Sequence, residues 1–425
     1  MRSHLNGFTG MIMMGINNKI NRNALRKIRE DNEINQKIVR YCPSQIEAFI
    51  DEAVPVENML ISGGSYDIRN RAICRAIECA AYQGYRILVL HSGNVNLEQN
   101  LSVYFGTNKV CLINRCNPVY DPFVGATNSE IARLVISSAN NNCKINAVGR
   151  YYLSGIADYI RCNNKSPRCY MYINCPHLML MDRINDAENR GLINQSDSRK
   201  IISQILQGEV ERGGIENFFH ELALQSNGIL ADKTNALRAV SLMTVSRNNQ
   251  ILSVDVQSNT NQLLVNLLIN ETESVRSGGN KMLVVIDSIN VSSGNLLTNY
   301  IKQSGSNSCA IISSDDAFSE FGGSNDEFYA FVGKCSKLIV SKHSSAYSCQ
   351  KLSDVIGSYD KQEISRTFTE TMNYMGKWGI SSGESENISI KRDQIVKPEE
   401  IQRLNNEEVY IIDKQSGELA YTTVI

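Results

Sequence analysis

Residues 59–70 read Met59-Leu60-Ile61-Ser62-Gly63-Gly64-Ser65-Tyr66-Asp67-Ile68-Arg69-Asn70. The opening run is apolar and short, as a buried strand is. Gly63 and Gly64 supply a tight turn. Ile68, Ala72, Ile73, Ala76, Ile77 and Ala80 then recur at helical spacing up to Gly84, a natural helix stop. Strand, glycine turn and helix are the parts of a phosphate-binding loop, in which backbone N–H groups and the helix dipole converge on an anion. The usual sequence is GxxxxGK followed by Ser or Thr. Here Ile68 stands at the second glycine, Arg69 at the lysine and Asn70 at the magnesium-binding hydroxyl. Ile68 is β-branched where the backbone must approach phosphate closely. Arg69 keeps the charge but spreads it over a planar fork. Asp67 adds negative charge beside a phosphate site. A Gly-Gly turn between a strand and a helix is also common in α/β proteins of every kind.

Further strands follow at 86–90 (RILVL) and 109–113 (KVCLI). Strands alternating with a helix imply βαβ units and a mainly parallel sheet. From residue 127 the periodicity turns helical. Thr127-Asn128-Ser129-Glu130 is a capping box, and helices are expected at 146–161, 197–208, 214–225 and 231–246. The β/α pattern returns with a helix at 260–276 and the run Met282-Leu283-Val284-Val285-Ile286-Asp287, continuous enough for a strand covered on both faces. Strands are expected at 309–313, 337–340 and 386–391. A short helix opened by Pro398 comes next, then a hairpin of 409–413 with 419–424 turning through Gln415-Ser416-Gly417. The chain therefore divides into an N-terminal segment 1–57 with a charged helical stretch near 23–39, a first core half 58–126, an all-α insertion 127–256 and a second core half 257–425.

Leu283–Asp287 has the form of a Walker B strand, four apolar residues ahead of an acid that holds magnesium. Motor ATPases usually follow that acid with Glu, which positions the attacking water. Ser288 stands there instead, and serine is a poor proton acceptor at neutral pH. A buried strand that merely ends in Asp would read the same way. If the loop and the strand do form one site, Arg69 is expected to point toward the phosphate position or toward Asp287 itself.

Composition narrows the function classes. The 425 residues are 42% hydrophobic and 20% charged, with net charge −1, so a sizeable core is available and no global basic field exists to hold nucleic acid. Any such binding must come from a local patch. Residues 10–16 (GMIMMGI) are too few to span a bilayer, and the basic residues lie on the wrong side for a signal peptide, so a cytoplasmic location is expected. Twelve cysteines without a CxxC pair indicate reduced thiols. Cys162, Cys169, Cys175 and His177 are residue types that bind zinc, but their spacing is too wide and irregular for a common zinc module. The histidines fall in no triad or metal spacing.

The order of these pieces resembles the motor domain of type IV coupling proteins of the TraG/TraD type, which belong to the FtsK/HerA-like P-loop ATPases and carry an all-α domain between two halves of the nucleotide core. Asn114 to Phe123, ending Tyr120-Asp121-Pro122-Phe123, is similar to the family's NPL-type motif before the insertion. Phe331 to Val340 (FVGKCSKLIV) looks like its ILGNCxTKI segment, and Leu352 to Tyr359 (LSDVIGSY) like its LSxxLGxYT segment. Lys397 to Leu404 (KPEEIQRL) is similar to LTPEEIRRLP. Together these cover roughly residues 58–425.

The resemblance implies a RecA-like sheet and ATP with magnesium as cofactors. It assigns Gly63, Gly64, Ser65, Arg69 and Asn70 to the nucleotide and Asp287 to the metal. Ser313 falls where the family has a sensor Gln. Arg69, Asn70 and Ser288 occupy functional positions with altered chemistry. The reading that follows is a pseudo-ATPase that recruits substrate or assists assembly in a type IV secretion or conjugation machine. Its implied partners are the machine's proteins, DNA or a relaxosome, and other copies or subunits in an oligomer; contact with the inner face of the membrane would run through those partners. The alternative is an active DNA-translocating ATPase.

Overall fold

The structure is a computed structural model that describes residues 22–31, 39–41, 50, 56–226, 228–257, 262–290, 296–303, 307–322, 324–372 and 380–423. The apolar stretch 10–16 lies outside them. Of the helical stretch expected near 23–39, residues 22–31 form helix α1.

The core is one ten-stranded sheet in the order β1-β12-β11-β8-β2-β7-β6-β3-β5-β4. The strands are β1 (Val39–Tyr41), β2 (Asn58–Ser62), β3 (Arg86–His91), β4 (Val110–Ile113), β5 (Ile251–Asp255), β6 (Met282–Asp287), β7 (Ser308–Ser314), β8 (Cys335–Ser341), β11 (Glu408–Asp413) and β12 (Glu418–Thr423). From β8 to β4 all pairings are parallel. The hairpin β11–β12 adds antiparallel to β8, and β1 closes that edge parallel to β12.

Side-chain alternation covers both faces of this sheet. Leu60, Leu88, Val284, Ala310 and Leu338 join one core cluster, whereas Met59, Ile61, Val89, Val285, Ile311 and Ile339 join the other. Full burial of each such Leu, Val, Ile or Met side chain stabilises the fold by about 1.5–3 kcal/mol. Helix α2 (Tyr66–Tyr82) lays Ala72, Ile73, Ala76, Ile77 and Ala80 into the second cluster. The fold is an α/β P-loop NTPase-like sheet, and the expected strands 59–62, 86–90, 283–287 and 309–313 lie side by side near its middle.

Between β4 and β5 the chain is helical: α4 (Asn128–Ser138), α5 (Gly149–Cys162), α6 (Cys169–Ile173), α7 (Leu180–Asn189), α8 (Gln195–Gly208), α9 (Arg212–Gln225) and α10 (Leu242–Arg247). Helices α5 and α8 approach closely because Gly208 has no side chain; a Cβ there would meet the Tyr152 backbone N at 2.5 Å. Three details depart from the sequence reading. The helix expected at 231–246 is only α10. Asp232 Oδ1 accepts N–H groups of Thr234 and Asn235 in a local turn, and Val240 pairs with Tyr120, so that backbone is committed elsewhere. Helices α6 and α7 are short pieces set off by Pro167 and Pro176. Finally β5, inside the stretch 127–256 read as all-α, is a sheet strand. Its run Ile251-Leu252-Ser253-Val254 is buried on both faces, and Ser253 interrupts the apolar stretch that would have announced it.

Beyond helix α15 (Ala346–Ile356), β9 (Ser358–Met372) and β10 (Ile380–Gln394) form a separate two-stranded antiparallel ribbon in which Ser358 pairs with Gln394, longer than the strand expected at 386–391. Helix α16 (Pro398–Arg403) then leads to β11.

Candidate functional site

Ligands of open α/β sheets sit at the carboxyl ends of the strands. Here the ends of β8, β2, β7, β6 and β3 meet around Gly63 and Gly64. Both glycines have positive φ, +87° and +74°, which L side chains adopt only with strain. The Gly63 N–H donates to the Ser314 carbonyl at 2.9 Å and the Gly64 N–H to the Lys342 carbonyl at 3.0 Å, stitching the loop to the ends of β7 and β8. Ser65 takes the N-cap position of α2 with extended backbone but makes no side-chain cap bond. Strand, turn and helix thus follow one another over 58–82.

His343, which the sequence did not single out, packs against the loop. A Cβ on Gly63 would lie 2.4 Å from its Cε1. Its Nδ1 is 2.7 Å from the Ser341 carbonyl, which can only accept, so Nδ1 carries the proton. Nε2 then accepts from the Ser62 hydroxyl at 2.8 Å. Burial holds the imidazole below its ordinary pKa, which keeps it neutral.

The second part of the site is a closed polar cluster. Arg69 is 2% exposed and Asp287 is fully buried, and Arg69 Nε lies 3.9 Å from Asp287 Oδ1. The guanidinium also donates to the Gly64 carbonyl at 3.1 Å and lies over the Tyr66 ring, 4.6 Å from its centroid. Asp287 accepts from the Ser313 hydroxyl at 2.8 Å and from Asn94 Nδ2 at 2.7 Å. Asn94 caps helix α3 (Val95–Phe105) by accepting the Leu97 N–H, and its amide pairs with that of Asn70 at 3.0 Å. Ser288 sits at φ +57° with its N–H on the Ser313 carbonyl at 2.8 Å.

The structure therefore brings Gly63, Gly64, Arg69, Asn70, Asp287, Ser288 and Ser313 into one neighbourhood. Asn94 completes it. Nothing in its local sequence marks it; only its place one turn beyond the end of β3, beside β6, could have. Next to it, His91 is buried at the end of β3 with Nε2 3.5 Å from Glu98 Oε1. Burial pushes the Glu98 carboxyl up, but His91 and Asn114 outweigh it and leave it below its ordinary range.

The other motif residues are structural here. Asp121 is buried and accepts the N–H groups of Phe123 and, at the start of α6, Cys169. Burial raises it to about 6. Tyr120 donates to the fully buried Glu271 of helix α11 (Gln262–Ser277) at 2.6 Å. Among the described residues no three His, Cys, Asp or Glu side chains converge as metal ligands. His177 instead stacks on Tyr152 and pairs with its hydroxyl at 3.0 Å. No described helix is long and apolar enough to cross a membrane.

No protein-family profile matches the sequence, and no curated protein matches it. Solved structures do. The bacterial conjugative coupling protein TrwBdeltaN70, in its unbound monoclinic form, superposes with a TM-score of 0.51 at 12% identity, over 89% of this chain and 90% of that one. The plasmid coupling protein TrwB in complex with the non-hydrolysable GTP analogue GDPNP superposes with a TM-score of 0.50 at 12% identity, over 92% of this chain and 91% of that one. At such identity the likeness speaks for the fold: this chain has the fold of the bacterial conjugative coupling protein.

Proposed function

We propose that this chain is a divergent relative of the coupling-protein motor that serves a type IV secretion or conjugation machine without hydrolysing ATP, by recruiting substrate or supporting assembly. The observation that carries this reading is the Arg69–Asp287 pair. A motor ATPase needs a compact cation on the β- and γ-phosphates, a hydroxyl on magnesium and a carboxylate to position water. Here the cation is turned onto the acid that would hold the metal. Both oxygens of that acid accept hydrogen bonds from Asn94 and Ser313, and Asn70 is engaged with Asn94. The residues present do not fit a magnesium nucleotide. Position 288 offers serine in a left-handed conformation.

A solved coupling protein of this fold is bound to a GTP analogue, so nucleotide is the ligand to test. Purified protein should release no phosphate above background, with or without DNA. Any nucleotide binding should be weak and little changed by magnesium. DNA-stimulated hydrolysis that disappears in Asp287→Ala would overturn the reading in favour of an active DNA-translocating ATPase. The triple variant R69K/N70T/S288E is the complementary test of whether these three positions account for the inactivity.

A further inference from the structure

Three segments of the helical block meet at one cleft: the loop from Phe123 into α4, the last turn of α5 and the loop Ser166-Pro167-Arg168 before α6. The cleft measures about 470 Å³, and Arg161 and Arg168 both line it. Among the described residues no Asp or Glu lines it. Arg161 donates to two neutral acceptors, Asn128 Oδ1 at 2.9 Å and the Ala126 carbonyl at 3.1 Å. Among the described residues, neither guanidinium forms an ion pair with a carboxylate. The nearby acids are engaged with other groups: Asp158 with Lys200 at 2.9 Å and with Nδ2 of the wall residue Asn128 at 2.5 Å, Glu130 with the Thr127 N–H in the capping box, and Asp121 with the N–H groups of Phe123 and Cys169.

Two guanidinium groups on the walls of one cleft repel each other. Arg168 lies near enough to the buried Asp121 to favour its charged form, but among the described residues no carboxylate reaches either guanidinium as an ion pair. Guanidinium forks suit the paired oxygens of phosphate. The wall also includes Asn128, the first residue of α4. The Thr127 hydroxyl takes the Glu130 N–H, which leaves the N–H groups of Asn128 and Ser129 without helical acceptors. We propose that this cleft binds a phosphate group, with Arg161 and Arg168 as its principal contacts. The site lies in the insertion and does not depend on the state of the Arg69–Asp287 cluster.

Free phosphate and the phosphodiesters of a nucleic acid share this chemistry, and the test separates them. Inorganic phosphate is titrated calorimetrically into the full chain, and a labelled oligonucleotide, single- and double-stranded, is titrated by anisotropy at several salt concentrations. Arg168→Gln is the cleanest variant because the Arg168 side chain makes no hydrogen bond within the described residues. Arg161→Gln removes contacts to Asn128 and Ala126 as well, so Arg161→Lys accompanies it, and Arg168→Lys stands in should R168Q lose cooperative unfolding. Arg190→Gln, at an exposed arginine beside Asp186, is the control. R168Q is expected to weaken binding at least tenfold and R190Q to leave it unchanged. If the ligand is the nucleic acid, R168Q also lowers the slope of log K against log salt by about one, and inorganic phosphate competes with the oligonucleotide. If only inorganic phosphate binds, the site is assigned to the free anion. Failure of every probe to bind wild type, or equal behaviour of R168Q and R190Q, overturns the proposal.

Discussion

Arg69 Nε stands 3.9 Å from Asp287 Oδ1, with the two side chains 2% and 0% exposed. At that distance they attract as charges without sharing a hydrogen bond, while each is hydrogen-bonded to other groups. A buried pair of this kind adds little over an apolar replacement of both members, yet removing one member strands the other. Arg69→Met should therefore destabilise the fold by about 3 kcal/mol, and Asp287→Asn by a similar amount. The double variant R69M/D287N should lose clearly less than the sum, because no unpaired charge remains. Urea unfolding of the four proteins in the cycle measures this; additive losses would show that the two side chains do not act as a pair.

Gly63 and Gly93 separate backbone strain from crowding. Both have positive φ, +87° and +70°, but a Cβ on Gly93 would meet nothing within 4 Å, whereas one on Gly63 would overlap the His343 ring. Gly93→Ala should cost about 1 kcal/mol, the left-handed penalty alone. Gly63→Ala should cost at least about 2 kcal/mol more, since the ring is held by bonds at both nitrogens and cannot yield. Equal costs in a denaturant titration would mean that His343 moves aside freely.

Glu271 gives the fold a pH dependence of known sign. Desolvation raises its carboxyl to about 8 from an ordinary 4.5. Between those values the folded protein holds a proton that the unfolded chain has released, so stability falls as pH rises through that window and levels off above it. The slope is at most about 1.4 kcal/mol per pH unit. Asp121, raised to about 6, adds to the fall in the lower part of the window. Glu271→Gln keeps the neutral form at every pH. Its stability relative to wild type should rise steadily from pH 5 to pH 8, as read from unfolding midpoints. A constant difference would show that Glu271 does not titrate in this range.

The legibility of an element in the sequence depends on its type. The central strands β2, β3, β6 and β7 were legible because covering both faces demands continuous apolar runs, and Leu283 to Ile286 has no other comfortable home. β5 was not, because one buried serine, Ser253, breaks its run. The glycine loop could be placed because a strand, a turn and a helix each leave their own pattern. The details that shape the candidate site could not. Asn94 and His343 reach it from the ends of β3 and β8, and no spacing along the chain links them to Gly63 or Asp287. The missing part of the helix expected at 231–246 was lost to Asp232, whose side chain offers the backbone a competing turn.

The strand order has a further consequence. β2 lies between β7 and β8, so it is flanked on both sides by strands from the far end of the chain; Asn58 bonds to the Lys334 carbonyl across 276 positions of sequence. As the polypeptide leaves a ribosome, its first core strands emerge with nothing to pair against. The helical block, whose main helix–helix contacts all fall between residues 128 and 277, can assemble during that interval. The sheet cannot close until residues near 340 appear. Until then the apolar run 59–61 is an exposed edge, whereas 87–90 waits only for its neighbours β5 and β6, complete by residue 287. A synthesis that stalls between residues 250 and 330 would release a folded helical block attached to an adhesive, half-built sheet.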